Sequence, residues 1–402
     1  MLTTPNDLWS GQPVWTRDGV PAIPVKSLDA DISTDVVIIG AGISGAITAQ
    51  ALASDGFKVV LLDRRPPLQG STTATTALLQ YEIDTPILTL KRQIGEKKAM
   101  RAWQRSKLAL DALAAKVMAL NIDCDMERRC SLYLAGTELD ARALHKENDL
   151  RCAAGLFSEY LDGQTLYQRY DIERDAALLS FDSLTAHPLK LAAGFLLDAQ
   201  KRGADIYSPV TVDKVTPRGR DVVVTTEAGP CITARYVVHA TGYEMPKGIN
   251  RARHKVHSTY AIATCPQPDK LWPGKCLVWE ASDPYLYVRT LPDGRVICGG
   301  EDEAFADPKK RDALLPQKIE ALEQKLRDLF PEIDATAEHA WCGSFGVTPT
   351  GLPTIGNVSG HDNIFAILAF GGNGITFSSL AAQLLCARLT GRGDIDSDLF
   401  SF

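Results

Sequence analysis

Apolar and polar positions follow two different periods along the chain. The segments DVVII at 35–39 and KVVLLD at 58–63 each contain a continuous apolar run, which is typical of strands buried on both faces of a parallel sheet. The segment Ile43–Ser54 between them has the helical spacing of apolar residues. The pattern therefore predicts a βαβ unit near the amino terminus.

Helical spacing returns later and alternates with short apolar runs. The predicted helices are 98–120, 138–154, 187–202, 311–330 and 374–389, and the predicted strands are 222–226, 232–240 and 363–370. Between Val256 and Cys298, runs of Val, Tyr and Ile predict an antiparallel sheet with a hairpin turn at Pro292-Asp293-Gly294. The predicted fold class is α/β, or α+β overall, with a Rossmann-like parallel sheet and a mainly antiparallel second sheet.

The length of 402 residues exceeds what one hydrophobic core usually organises, so we expect two interleaved domains. Residues 1–34 contain many turn formers and no regular period, which predicts an arm packed over the body. The predicted Rossmann-like domain consists of 35–90, 185–245 and 340–402, and the predicted substrate domain of 91–184 and 246–339.

Composition and charge exclude several classes of function. The net charge is −6, and without a block of Lys or Arg no nucleic-acid partner is expected. The apolar runs are too short to span a membrane, and the amino terminus lacks the features of a secretory signal, so a cytoplasmic location is expected.

No metal site is predicted. The nine cysteines include no Cys-x-x-Cys pair and are expected to be reduced, mostly buried thiols. His254 and His257 would point to opposite faces of a strand, and His239 in a buried strand is expected to be a core residue.

A glycine-rich turn follows the first predicted strand. Gly40, Gly42 and Gly45 fit G-x-G-x-x-G, and Asp63 ends the second strand 18 positions after the last of them. The turn allows a pyrophosphate to approach the helix amino terminus, and the carboxylate suits ribose hydroxyls. A purely structural turn explains neither the spacing nor Asp63, but the motif does not distinguish FAD from a nicotinamide cofactor.

Other stretches carry a family resemblance. They are DVVIIGAGISG with VVLLDRR, Gly70-Ser71-Thr72, the segment 210–215, the YVVHATG run at 236–242, and TPTGLPTIG at 348–356 with FGGNGIT at 370–376. With these residues the chain, from about Asp35 onward, resembles the D-amino-acid oxidase family of flavoproteins, which includes glycine, sarcosine and gamma-glutamylputrescine oxidases. The resemblance implies that the Rossmann-like domain binds FAD.

The candidate cofactor-binding residues combine the motif with the stretches of the resemblance. They are Gly40, Gly42, Ile43, Ser44, Gly45, Asp63, Arg64, Gly70, Ser71, Thr72, Val212, Ala240, Thr241, Gly242, Gly371, Gly372, Asn373, Gly374, Ile375 and Thr376. The glycine turn at 371–374 precedes a helix, whose amino terminus would stabilise negative charge on the reduced flavin. An ordinary glycine-rich helix cap is the alternative.

One stretch departs from the family. Where several amine oxidases have an Arg-Asn-Gly-Gly run, residues 73–80 of this chain are TATTALLQ. The substrate of a relative is therefore not transferred. Because the stretch contains neither Cys nor His, FAD is expected to be bound non-covalently.

The substrate site is predicted from a second resemblance. The run DPYLYVR at 283–289 is similar to the hairpin that supplies a carboxylate-binding arginine in glycine oxidase, which makes Arg289 the candidate. Tyr287 and Tyr285 share its strand face and could line the same pocket. The alternative for Arg289 is a bridge to a structural acid or to solvent.

The resemblance implies an enzyme that oxidises the C–N bond of a small amine or amino acid. A hydride would pass to flavin N5, and oxygen would accept the electrons to give hydrogen peroxide. The flavin carries the chemistry, so no side chain is assigned as catalytic. Two alternatives remain: a dehydrogenase that passes electrons to a quinone or protein, and a non-catalytic flavin-binding protein. The particular amine, the stereochemistry and the oligomeric state are not predicted.

Overall fold

The structure is a computed structural model that describes residues 1–15, 19–249, 254–358, 360–368 and 371–402. Its α-helices are α1 Ile43–Ser54, α2 Ile87–Ile94, α3 Glu96–Ala119, α4 Ala141–Ala153, α5 Gly163–Tyr170, α6 Pro188–Lys201, α7 Pro308–Leu329 and α8 Gly374–Leu389. Its strands are β1 Trp9–Gly11, β2 Ile32–Ile39, β3 Val59–Leu62, β4 Leu78–Leu79, β5 Glu127–Leu134, β6 Ser158–Asp162, β7 Ala176–Thr185, β8 Asp205–Tyr207, β9 Val212–Arg218, β10 Asp221–Thr226, β11 Cys231–His239, β12 Lys255–Thr264, β13 Leu277–Glu280, β14 Leu286–Thr290, β15 Val296–Glu303, β16 Ala337–Val347, β17 Thr354–Asn357 and β18 Ile364–Leu368.

The first sheet has the order β17-β18-β11-β2-β3-β8, with β10 and β9 attached beside β11. Strands β18, β11, β2, β3 and β8 are parallel, and α1 packs against α6 and α8. Val36, Val37 and Ile38 are fully buried because strands of such a sheet are covered on both faces. The predicted βαβ unit is confirmed. Of the predicted strand at 363–370, the last two positions lie outside the described residues.

The second sheet is mainly antiparallel and runs in the order β1-β16-β12-β15-β14-β13-β5-β7-β4, with β6 beside β7. Strands β14 and β15 pair antiparallel across the predicted turn at 292–294. Strands β5, β6 and β7 were not predicted, since their mixed polar and apolar residues give no clear period.

Two segments join the second sheet across the predicted domain boundaries. The boundary at 340 falls inside β16, and β4 at Leu78–Leu79 pairs with β7. The predicted amino-terminal arm contributes to both sheets, because Trp9–Gly11 pairs with β16 in the second sheet and β2 of the first sheet begins at Ile32. Strand pairing between segments distant in sequence therefore decides which sheet these residues join.

Among the residues described, no helix is long and apolar enough to cross a membrane, and no group of three or more His, Cys, Asp or Glu side chains could hold a metal ion. All nine cysteines are free, and five of them are buried.

Candidate active site

The glycine turn between β2 and α1 opens onto a large cavity whose lining residues come from both sheets. A Cβ at Gly45 would lie 1.9 Å from the Gly40 carbonyl oxygen, so this glycine permits close packing of the turn and does not line the cavity. Gly42 does line it, and a Cβ there would meet only Thr72 Oγ1, at 3.1 Å. At the α1 amino terminus the Ile43 N–H donates to Thr72 Oγ1 at 3.0 Å, and the backbone at Gly42 is open to a ligand.

Asp63 lies at the end of β3 and lines the same cavity. Its carboxylate accepts hydrogen bonds from the Ala41 N–H at 2.8 Å and the Arg65 N–H at 2.9 Å. Burial raises the pKa of Asp63 although both bonds oppose this. Each oxygen keeps a lone pair, so the carboxylate can still accept a hydrogen bond from a ligand hydroxyl.

An ion-pair cluster borders this end of the cavity. Buried Glu244 accepts hydrogen bonds from Arg64 and Arg65 and, at 2.8 Å, from the Asn6 N–H. Burial alone would raise the pKa of Glu244, but the two arginines lower it below its usual value. The side chains of Arg64 and Arg65 are therefore already ion-paired. The hydrogen bond from Asn6 attaches the amino-terminal arm to the cavity wall.

Two buried hydroxyls indicate whether the cavity residues fit FAD. Ser71 Oγ and Thr241 Oγ1 have no hydrogen-bond partner among the described residues, and both residues line the cavity in segments predicted to bind FAD. A buried hydroxyl without a partner is costly, so these groups suit a polar ligand such as a pyrophosphate or ribityl chain. Together with the open backbone at Gly42, the residues fit FAD.

Residues 74–77, which we call the wall segment, line the middle of the cavity. All four of their carbonyls accept hydrogen bonds from large side chains: Ala74 from Trp341 at 2.8 Å, Thr75 from Trp15 at 2.6 Å, and Thr76 and Ala77 from Arg289 at 3.1 and 2.7 Å. Because a side-chain donor fixes each carbonyl, the wall segment presents a preformed surface to a ligand.

The structure does not bring Arg289 into the cavity lining. Its side chain is buried behind the wall segment, and Nη1 also donates to the Ala186 carbonyl at 3.2 Å. Burial lowers the pKa of Arg289 to about 9. Nη1 and Nε donate to main-chain carbonyls, and among the described residues no acid accepts a hydrogen bond from this side chain. The assignment of Arg289 to a substrate carboxylate stays a prediction.

Tyr285 and Tyr287 do line the cavity. Burial, and after it the nearby charges of Asp302 and Asp84, raises the pKa of Tyr285, whereas Arg64 and Arg65 are paired with Glu244. The Tyr285 hydroxyl donates to Asp302 at 2.6 Å, and the two tyrosine rings are 5.9 Å apart. Burial raises the pKa of Asp302 to about 6. Trp279 completes an aromatic surface that we call the aromatic end.

Asp84 is a cavity residue that the sequence analysis missed. Its carboxylate is open to the cavity but surrounded by protein, and it accepts the Gly372 N–H at 2.8 Å. Burial raises the pKa of Asp84. The local sequence, with Glu82 two residues before Asp84, equally predicts a solvated turn.

The carboxyl-terminal turn approaches the cavity as predicted. Gly371 to Ile375 all line it, whereas Thr376 points away and donates to the Gln80 carbonyl at 2.7 Å. Asn373 Nδ2 donates to the Glu82 carbonyl at 2.6 Å. The turn is therefore fixed against the strand segment that carries Asp84.

All other predicted cofactor residues line the cavity, leaving Gly45 and Thr376 as the two that do not. The lining also includes residues without a sequence signal, namely Leu2, Thr3, Leu8, Gln80, Asp84, Tyr243, Thr259, Trp279, Ser344 and Phe345. They come from segments far apart in the chain, so only the tertiary structure brings them together.

Comparison with known proteins agrees with this geometry. A family model described as FAD dependent oxidoreductase (DAO) matches residues 35–388. Gamma-glutamylputrescine oxidoreductase of Escherichia coli (strain K12) is 26% identical over 388 residues, which cover 93% of this chain and 87% of that protein.

Two solved structures share the fold. Glycine oxidase from Geobacillus kaustophilus has a TM-score of 0.74 at 18% identity, covering 90% of this chain and 96% of that one. L-proline dehydrogenase from P. horikoshii has a TM-score of 0.75 at 16% identity, covering 92% and 97%. With the family model spanning most of the chain and a cavity that fits the cofactor, the protein belongs to the DAO family of FAD-dependent oxidoreductases.

Proposed function

We propose that this enzyme oxidises the C–N bond of a small molecule in the cavity, using oxygen as acceptor and producing hydrogen peroxide. The observation that carries the proposal is the continuity of one cavity from the glycine turn at Gly42 to the aromatic end at Tyr285 and Tyr287. A dinucleotide extended from the turn leaves the aromatic end for a substrate. FAD, when bound, supplies the hydride acceptor at N5.

The overall reaction balances without a dedicated side-chain base. The amine loses a hydride and a proton to become an imine, and water converts the imine to a carbonyl compound and a free amine. Oxygen takes up two electrons and two protons to form hydrogen peroxide. The chain has to orient the C–H bond and exclude water, which the wall segment and the aromatic end are suited to do.

The cofactor contacts belong to the same proposal. The amino terminus of α1 and Ser71 would bind the pyrophosphate, and Asp63 would bind the ribose hydroxyls. The amino terminus of α8, after Gly371 and Gly372, would favour negative charge on the reduced ring. The role of α8 is supported by the position of this turn in the cavity lining.

The test uses the purified holoenzyme without oxygen. Titration with a panel of amines, N-methyl amino acids and amino acids should bleach the flavin absorbance, and admitting air should restore the colour with peroxide release. Bleaching without reoxidation by air would favour a dehydrogenase that uses a quinone or protein acceptor. A flavin that no compound in the panel bleaches would contradict the proposed activity.

A further inference from the structure

The charges around the cavity are distributed unevenly. The charged side chains among the described lining residues are Asp63, Arg64, Arg65, Asp84 and Glu244. Both arginines lie at the end bordered by the amino-terminal arm, where they are paired with Glu244. At the other end, the charged lining residue is an acid, Asp84.

A second acid strengthens the negative field there. Asp302 accepts the Tyr285 hydroxyl at 2.6 Å and lies close to the hydroxyl of Thr259, another lining residue. Asp84 and Asp283 are near enough for their charges to raise the pKa of Asp302 further, after the larger effect of burial. Three acids thus share one region, and the described lining residues there include no cation to offset them.

Aromatic rings surround the same space. Trp279, Tyr285 and Tyr287 line it, and Tyr243 and Phe345 also belong to the cavity lining. Aromatic faces attract cations, and a partly desolvated carboxylate gains most from a cationic partner. A substrate carboxylate would instead meet acids here, and Arg289 does not reach it.

From this arrangement we infer that the substrate is an alkyl diamine without an α-carboxylate, held by its second, protonated nitrogen beside Asp84. The nitrogen at the oxidised carbon has to be neutral for hydride loss. A nitrogen that stays positively charged beside a carboxylate is therefore a different one. The inference rests on the proposed function and specifies its substrate class.

A pair of ligands of equal length tests it. Butane-1,4-diamine and 4-aminobutyrate differ in whether the distal group is an ammonium or a carboxylate. Their dissociation constants for the oxidised holoenzyme are measured from the change in flavin absorbance, without oxygen and before any bleaching. We expect the diamine to bind at least about tenfold more tightly, and a preference for 4-aminobutyrate would overturn the inference.

Two variants locate the effect. Asp84→Asn keeps an acceptor for the Gly372 N–H but removes the charge, and it should bring the two dissociation constants within about threefold of each other. Glu320→Gln removes an exposed charge on α7 outside the cavity lining and should leave the preference unchanged. An unaltered preference in Asp84→Asn would contradict the role of Asp84.

The ligand comparison on the unmodified enzyme stands even if Asp84→Asn does not fold. It also separates two kinds of failure. If amino acids bleach the flavin and diamines neither bind nor bleach it, the substrate class is wrong while the amine-oxidising activity holds. If the diamine is preferred but no compound bleaches the flavin, the proposed activity is wrong while the charge preference holds.

Discussion

Asp302, which accepts the Tyr285 hydroxyl, makes the free energy of unfolding depend on pH. Burial raises the pKa of Asp302 from its ordinary 3.8 to about 6 in the folded protein. Folding therefore favours the protonated carboxyl. As pH rises from about 4 through 6, the folded protein has to ionise a buried group, and its stability falls relative to a chain without that group.

The magnitude follows from the difference of about two pKa units. At 1.36 kcal/mol per unit, the ionised carboxylate costs the folded state up to about 3 kcal/mol above pH 7, and almost nothing below pH 4. Asp302→Asn keeps an acceptor for the Tyr285 hydroxyl and removes this ionisation. Any loss of packing in the variant lowers its free energy of unfolding equally at every pH. It therefore cancels when the difference between variant and wild type is compared at two pH values.

The assay is urea unfolding of the flavin-free protein and its variant at pH 4.5 and 7.5, followed by tryptophan fluorescence. We expect the free energy of unfolding of the variant, relative to the wild type, to increase by about 2 kcal/mol between the two pH values. A difference that stays constant would show that Asp302 titrates normally, and the negative field at the aromatic end would then be weaker than the structure implies.

Three further predictions concern the wall segment and the cofactor. Arg289→Leu leaves the Thr76 and Ala77 carbonyls without a donor, so it should lower the free energy of unfolding by about 3 kcal/mol and weaken flavin retention; normal stability with a raised KM would restore Arg289 to the substrate site. Gly42→Ala should give folded, colourless protein, judged by circular dichroism and the ratio of flavin to protein, because a Cβ would stand where a phosphate approaches; a fully loaded yellow variant would refute this geometry. Glu244→Gln should lower flavin affinity and thermal stability because it loosens two arginines, and unchanged values would show that the cluster is peripheral.

Local patterns determined a large part of this protein from the sequence alone. Continuous apolar runs located β2 and β3, which are buried on both faces, and helical spacing of apolar residues located α1 and α8. The glycine spacing at Gly40–Gly45 predicted the cofactor turn, since close backbone approaches leave no room for a Cβ. The family resemblance rested on such local stretches, and the match to the DAO family confirmed it.

The tertiary structure alone decided which side chains face the substrate end. Arg289 lies on the same strand as Tyr287, yet its Nη1 donates to carbonyls of the wall segment and the side chain is not part of the cavity lining. Asp84 carried no signal, because its position depends on the approach of the turn at Gly371–Gly372 from the other end of the chain. A period reports which face of an element is buried, but the neighbour that buries it is set by contacts between segments hundreds of residues apart.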